Sequence, residues 1–407
     1  MNTKPSRPSR RHAKSASWRL LLTAFLAFSA ASPAAVQKLG YQQQFSFSLH
    51  NFCDTVPIEF ANGRLYLRIL TADGERRVML DTGCSQGIVF QGHPLPGQTE
   101  VGNMVLNDVN GRKDTVRILR FPPFSIGRLQ LSDYVGAEAP SMNIQEGCDA
   151  IIGFDLFSKG LAAKIDVRAG RMVITDRRRA FDGEPGEELP YRLIRFLPHV
   201  MVSPFMRHVD QTLFDTGQRA LYHINAERFR KHLYKSRNVA SQVEGTASGS
   251  AIIGSFGPEE ERQAYFLHLN RLKWGNFAFN DYHTMTTEGA SAVGSELLNH
   301  GTLVINPFRK RMKFRPYNGA DSVRIGNRQS DMWFVMKDGK VFVGMVFEHG
   351  KAFKAGARQG DRVLKVNGRD ILDLNDMNRV PIVKGQTYTF LLLDERGFNK
   401  EVTITKE

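Results

Sequence analysis

The sequence predicts a mainly β protein: two similar β lobes followed by a small C-terminal β unit with short helices. Two observations carry this expectation. A strand pattern running into Asp-Thr-Gly occurs twice, within residues 64–90 and again within 199–224. The composition also fits, since 36 Gly and 28 Phe against 17 Pro suit a turn-rich chain with substantial cores. A length of 407 residues leads us to expect two or three domains.

At the N-terminus, residues 1–19 carry Lys4, Arg7, Arg10, Arg11, Lys14 and Arg19 and no acid, and the apolar run LLLTAFLAFSAA follows at 20–31. Small residues then surround Pro33. A basic segment, a short apolar segment and small residues describe a secretory signal peptide over residues 1–35. Twelve apolar residues are too few for a stable bilayer-spanning helix. The expected mature chain is therefore exported, periplasmic or secreted, with no stable membrane span after cleavage. The formal charge is +14, and six of those positive charges lie in the leader. The remaining runs, Arg177-Arg178-Arg179 and Arg309-Lys310-Arg311, read as solvated loop or strand ends, so nucleic acid is not an expected partner. Cys53, Cys84 and Cys148 form no Cys-x-x-Cys spacing, so no metal site is expected from them. An odd count leaves at least one thiol free, a Cys53–Cys148 pairing stays open, and Cys84 is given a packing role.

In the first copy Leu65, Leu67 and Ile69 alternate with other residues as a strand does, and Ala72-Asp73-Gly74 marks a hairpin turn. Val78-Met79-Leu80 then runs into Asp81-Thr82-Gly83. The second copy has the same order: a strand from His199, a polar turn expected at residues 208–210, a strand, and Asp215-Thr216-Gly217. Downstream of the first lies Ile151-Ile152-Gly153, then strand patterns at 163–166 and 171–174. Downstream of the second lies Ala292-Val293-Gly294, then patterns at 303–306 and 311–314. Asp81 precedes Gly153 by 72 residues and Asp215 precedes Gly294 by 79, so the copies keep register to within a loop. One Asp-Thr-Gly is expected by chance about 0.1 times in such a chain. Two in matched settings mark an internal duplication.

The duplicated pattern resembles the retropepsin-like aspartic protease family. The resemblance implies two retropepsin-like β-barrel lobes, residues 36–182 and 183–317, related by pseudo-twofold symmetry. It implies catalytic carboxyls at Asp81 and Asp215, with Thr82, Gly83, Thr216 and Gly217 supporting their loops and no cofactor. Two carboxyls brought together cannot both ionise comfortably, so one holds the proton while the other acts as base on a water. The glycines permit a close approach that a Cβ would forbid. This sequence has Cys84 and Gln218 where the family usually has Ser or Ala. Hairpins that cover the substrate are expected at 101–115 and at the Gly- and Ser-rich 245–258.

Residues 318–330 read as a linker. Beyond them, a strand at 341–346, then Ala355-Gly356, Gly360-Asp361, a strand and Asn367-Gly368 resemble the PDZ pattern of bacterial envelope proteases, giving a PDZ domain at 331–407. Closing strands are expected at 387–394 and 401–405. PDZ domains take a chain terminus as an added strand, and the carboxylate-capturing loop is expected near Met332-Trp333-Phe334-Val335. The sequence thus leads us to expect an exported aspartic endopeptidase acting on an extended polypeptide, with a peptide C-terminus as possible PDZ ligand. The competing class is an envelope protein that binds peptides in the same cleft without cutting them.

Overall fold

The computed structural model describes residues 44–406 apart from 109, 141–146, 255, 327–329, 382 and 384, so the leader lies outside the described residues. The chain is mainly β, as the alternating patterns require. The longest described helix, Ala226–Leu233, has eight residues. No helix among the described residues is long and apolar enough to cross a membrane.

Each Asp-Thr-Gly ends an inner strand of a hairpin. In the first copy Arg64–Thr71 pairs antiparallel with Gly74–Leu80, reversing at Ala72-Asp73 as expected. In the second, Leu197–Phe205 pairs with His208–Asp215. There the turn is Met206-Arg207 and not residues 208–210, because Arg207 takes φ +65° and His208 already pairs with Phe205. A short strand then lies parallel to each inner strand. Ala150, Ile151 and Ile152 face Val78, Met79 and Leu80, while Leu213, Phe214 and Asp215 face Ala292, Val293 and Gly294.

The two downstream glycines are sites of close passage. A Cβ on Gly153 would overlap the backbone of Gln86, five residues past Asp81. One on Gly294 would overlap the carbonyls of Gln218 and Ala220, the latter five past Asp215. Equivalent bonds fasten these crossings: Phe154 N–H donates to Cys84 C=O at 2.8 Å, and Ser295 N–H donates to Gln218 C=O at 2.8 Å.

The copies join in one antiparallel sheet with the order Cys53–Ala61, Arg171–Thr175, Ala162–Asp166, Gly301–Asn306, Arg311–Pro316 and Glu187–Ile194. At its centre Ala163 faces Ile305, Lys164 faces Val304 and Ile165 faces Leu303. Exchanging the copies maps this register onto itself. A single apolar core runs through both halves, with Ile165, Ile305, Phe154, Phe214 and Trp274 fully buried.

The expected linker is in part structured. Ser322–Gly326 lies parallel to Phe277–Thr287 as a strand of the second half, with Ser322 beside Ala278 and Gly326 beside Tyr282. The C-terminal unit is a six-stranded sheet of Met332–Lys337, Lys340–Val346, Arg362–Val366, Arg369–Asp370, Thr387–Leu393 and Asn399–Thr405, with its own core. It is attached to the second half. Phe266 lies 5.4 Å from Trp333 and 4.6 Å from Phe347, ring centre to ring centre, and Ser250 N–H donates to Gly344 C=O at 2.9 Å.

The basic runs are engaged locally. Arg177 donates to Asn51 C=O, and Arg179 and Arg309 both reach Asp182. All three cysteines are free, which closes the question of a Cys53–Cys148 bridge: Cys53 is exposed and Cys148 buried.

The crossing glycines give a paired test. Gly153→Ala and Gly294→Ala should each lower Tm sharply or prevent folding, since the obstacle is backbone. Gly183→Ala, where nothing lies within 4 Å, should change Tm little. Thermal scans of the three variants check this.

Candidate active site

The two Asp-Thr-Gly loops meet. Thr82 N–H donates to Thr216 Oγ1 at 3.0 Å, and Thr216 N–H donates to Thr82 Oγ1 at 3.0 Å. Each hydroxyl donates onward to the residue before the opposite Asp: Thr82 to Phe214 C=O at 2.8 Å, Thr216 to Leu80 C=O at 2.7 Å. Four bonds thus form a closed, reciprocal set, and both threonines are fully buried. Threonine suits the position because one hydroxyl accepts and donates at once.

The lock places Asp81 and Asp215 against each other, each 9% exposed. The glycines make the approach possible. A Cβ on Gly83 would overlap the Asp215 carboxyl, and one on Gly217 the Asp81 carboxyl. Gly83 N–H donates to Asp81 Oδ1 at 2.8 Å, and Gly217 N–H to Asp215 Oδ1 at 2.9 Å. One oxygen of each carboxyl is therefore fixed by a backbone donor in both copies. Burial, and then the charge of Asp81 and a hydrogen bond with it, push the Asp215 carboxyl well above the usual carboxylate range. One proton on the pair removes the repulsion between like charges in a site with little water.

The flanking residues break the symmetry. Cys84 Sγ lies 3.4 Å from Asp81 Oδ2, so the thiol, given a packing role from sequence, is a weak donor to the pair. Burial, and then the charges of Asp81 and Asp215, push that thiol far up, so it stays protonated and is no nucleophile. Gln218 contributes its backbone N–H to Asp215 Oδ1 at 3.2 Å, while its side chain turns away to the carbonyls of Ala220 and Ala292.

Both segments expected to cover the site pack on one apolar cluster beside Cys84. Thr99–Asn107 and Lys113–Arg120 form a hairpin. Val101, Met104 and Leu106 pack on an apolar cluster that includes Met79, Ile88 and Ile151 and is flanked by Cys84. Phe256, from the second segment, joins the same cluster. The two tips are bonded: Asn110 Nδ2 donates to Gly257 C=O at 3.0 Å, Arg112 Nη1 to Phe256 C=O at 3.0 Å, and Phe256 N–H to Asp108 Oδ2 at 3.2 Å. The Gly- and Ser-rich segment is not a free hairpin. Ala251 and Ile252 N–H donate to the buried Glu259 carboxylate, which Arg262 holds at 2.9 Å, and Ile253 packs on the C-terminal core.

Two features escaped the sequence reading. Tyr134 hydroxyl donates to Asp155 at 2.8 Å and accepts from Gly153 N–H at 3.0 Å, beneath the first loop. Burial raises Asp155 well above the usual range. Arg219, four residues after Asp215, is lodged beside Gly63 with Nε and Nη2 buried and unpaired. Burial, then the nearby Arg64, lowers it to about 10. The signal for this pair was only one arginine on a strand and one in a loop far along the chain, which sequence does not connect.

No protein-family model matches the chain. A 62-residue stretch, 15% of the chain, is 39% identical to part of Rho guanine nucleotide exchange factor 12 of Homo sapiens and spans 4% of that protein. Among solved structures, basic 7S globulin from soybean is similar over 64% of this chain and 94% of its own, with 10% identity and a TM-score of 0.41. Conglutin gamma, a basic 7S globulin of lupine seeds, matches over the same shares with 10% identity and a TM-score of 0.40.

The lock and the shared proton each generate a test. Thr82→Val leaves Thr216 N–H and Phe214 C=O unsatisfied at about 1–3 kcal/mol each. Its unfolding free energy should fall by about 2–5 kcal/mol in denaturant titrations, and Thr82→Ser should lose under about 1 kcal/mol. For Asp215 the folded value is raised, so its contribution to stability is intact below the unfolded value of about 4 and is lost as pH rises through the folded value. Asp215→Asn cannot ionise. Its Tm should match wild type near pH 4 and exceed it increasingly toward pH 8.

Proposed function

We propose that this protein is an aspartic endopeptidase with two retropepsin-like lobes, acting on a polypeptide held extended between the dyad and the covering tips. The observation that carries the reading is the buried contact of Asp81 and Asp215 across reciprocal Thr82 and Thr216 bonds, with a glycine beside each carboxyl. In this reading the carboxyls share one proton. The ionised one takes a proton from a water as it attacks the peptide carbonyl. The protonated one hydrogen-bonds the carbonyl oxygen, and the proton taken up passes to the leaving nitrogen. This division of labour is the one that paired aspartates perform in aspartic proteases generally, and it is assigned here to these two residues. The backbone donors Gly83 and Gly217 hold one oxygen of each carboxyl, and Cys84 supplies the weak hydrogen bond that a hydroxyl gives in the resembled family.

The C-terminal sheet is proposed to be a PDZ domain that takes a polypeptide terminus along the edge strand Met332–Lys337. That strand has a ladder partner on one side only among the described residues. Export to a periplasmic or extracellular compartment follows from the leader and belongs to the same proposal.

The deciding experiment is cleavage of an unfolded protein substrate between pH 3 and 8, with pepstatin as the inhibitor. Wild type should cleave with an acid-side optimum and be inhibited. Asp81→Asn and Asp215→Asn should each lose at least a thousandfold in kcat/KM while remaining folded. Cleavage that survives either substitution removes the dyad mechanism. Peptide binding without turnover at any pH establishes the receptor reading instead.

A further inference from the structure

A second cluster of reactive side chains lies in the second half, on strands that do not carry the dyad. His268 of Arg262–Trp274 and His283 of Phe277–Thr287 are direct cross-strand partners. Their rings stack with centres 4.2 Å apart and planes 11° apart. On the other flank Val243–Gly249 pairs with Arg262–Trp274, with an irregularity between Val243 and Gly245. Such a bulge re-aims a side chain, and Glu244 Oε1 here lies 2.9 Å from His283 Nδ1. One donor atom each from Glu244, His268 and His283 falls within 4.8 Å of the other two.

The outer partners are equally specific. His268 Nε2 is bound by the Asp281 carboxylate, and Arg324 holds that carboxylate at 2.6 Å. This carboxylate fixes the imidazole with its other nitrogen free to bind, which is how metal-ligating histidines are oriented. The side chains of His283, Glu244 and His268 are 16%, 25% and 41% exposed, so the site is sheltered but open on one side. Packed against it, Gly245 faces Phe347 and His349 of the C-terminal sheet.

We propose that Glu244, His268 and His283 bind one divalent transition-metal ion of the zinc class, with solvent completing the shell and Asp281 and Arg324 as positioning residues. Two imidazoles and one carboxylate suit zinc, cobalt, nickel or copper, and not the all-oxygen preference of calcium or magnesium. Bonds of about 2.0–2.2 Å about a tetrahedral ion require the donor atoms to rearrange from where they now stand. The close Glu244–His283 contact gives way as both groups turn to the ion. Glu244 sits where its strand leaves for the tip over the dyad. The ion thus fastens the base of that segment to the sheet at the junction with the C-terminal unit.

The test uses the full chain, stripped with a chelator and titrated with Zn2+ alone by calorimetry and by metal content after dialysis. One zinc per chain is expected at pH 7.5, with a higher Tm. His268→Gln and His283→Gln should each weaken binding at least tenfold, and Asp281→Asn by about ten- to a hundredfold. His232→Gln, at the separate His208–His232 contact, should bind as wild type does. Asp215→Asn should also bind zinc normally, which keeps the result independent of the dyad. Zinc content no higher than that of the His268→Gln/His283→Gln double variant, with both proteins folded, overturns the proposal.

Discussion

The reciprocal exchange of hydrogen bonds between Thr82 and Thr216 is the constraint on which the rest of the molecule depends. Neither inner strand alone can bury an aspartate cheaply. The lock brings both carboxyls to one place, where a hydrogen bond between them accompanies the burial that raises Asp215. It also dictates composition nearby. A Cβ is barred at Gly83 and Gly217 by the opposite carboxyl, and at Gly153 and Gly294 by the chain threading behind. Two hydroxyls and four glycines thus define a centre that the outer strands only need to support.

The central sheet obeys the same exchange. Its middle register, with Ala163 opposite Ile305 and Ile165 opposite Leu303, is unchanged when the copies are swapped. Asymmetry enters at the edges: Cys84 against Gln218, a hairpin on one side against an anchored segment on the other, and a C-terminal sheet bound to the second half. The duplicated parts assemble the pair, and the unequal parts lie around it.

Sequence revealed what local chemistry encodes. Alternation marked the strands into Asp81 and Asp215, turn residues marked Ala72-Asp73, and glycines marked the crossings. The C-terminal sheet was legible through Gly360-Asp361 and Asn367-Gly368 for the same reason. What failed was long-range. Ser322–Gly326 reads as polar linker because its strand character comes from pairing with Phe277–Thr287, some forty residues away in the chain. The turn at Met206-Arg207 was displaced by two residues because Arg207 accepts a positive φ that its identity does not advertise. Cys84 read as packing because its partner is set by loop geometry, and the Glu244, His268 and His283 cluster was invisible because a bulge aligns it. The retropepsin and PDZ readings rest on those motifs and remain proposals.

The bond between the tips has a topological consequence. Asp108, Asn110 and Arg112 on one side and Phe256 and Gly257 on the other complete a ring with the two halves, fused at the far end by the threonine lock. Under the proposed function, a substrate strand with a loose end could be fed through such an eyelet, whereas a continuous loop of a folded protein could enter only after the ring is unbuttoned.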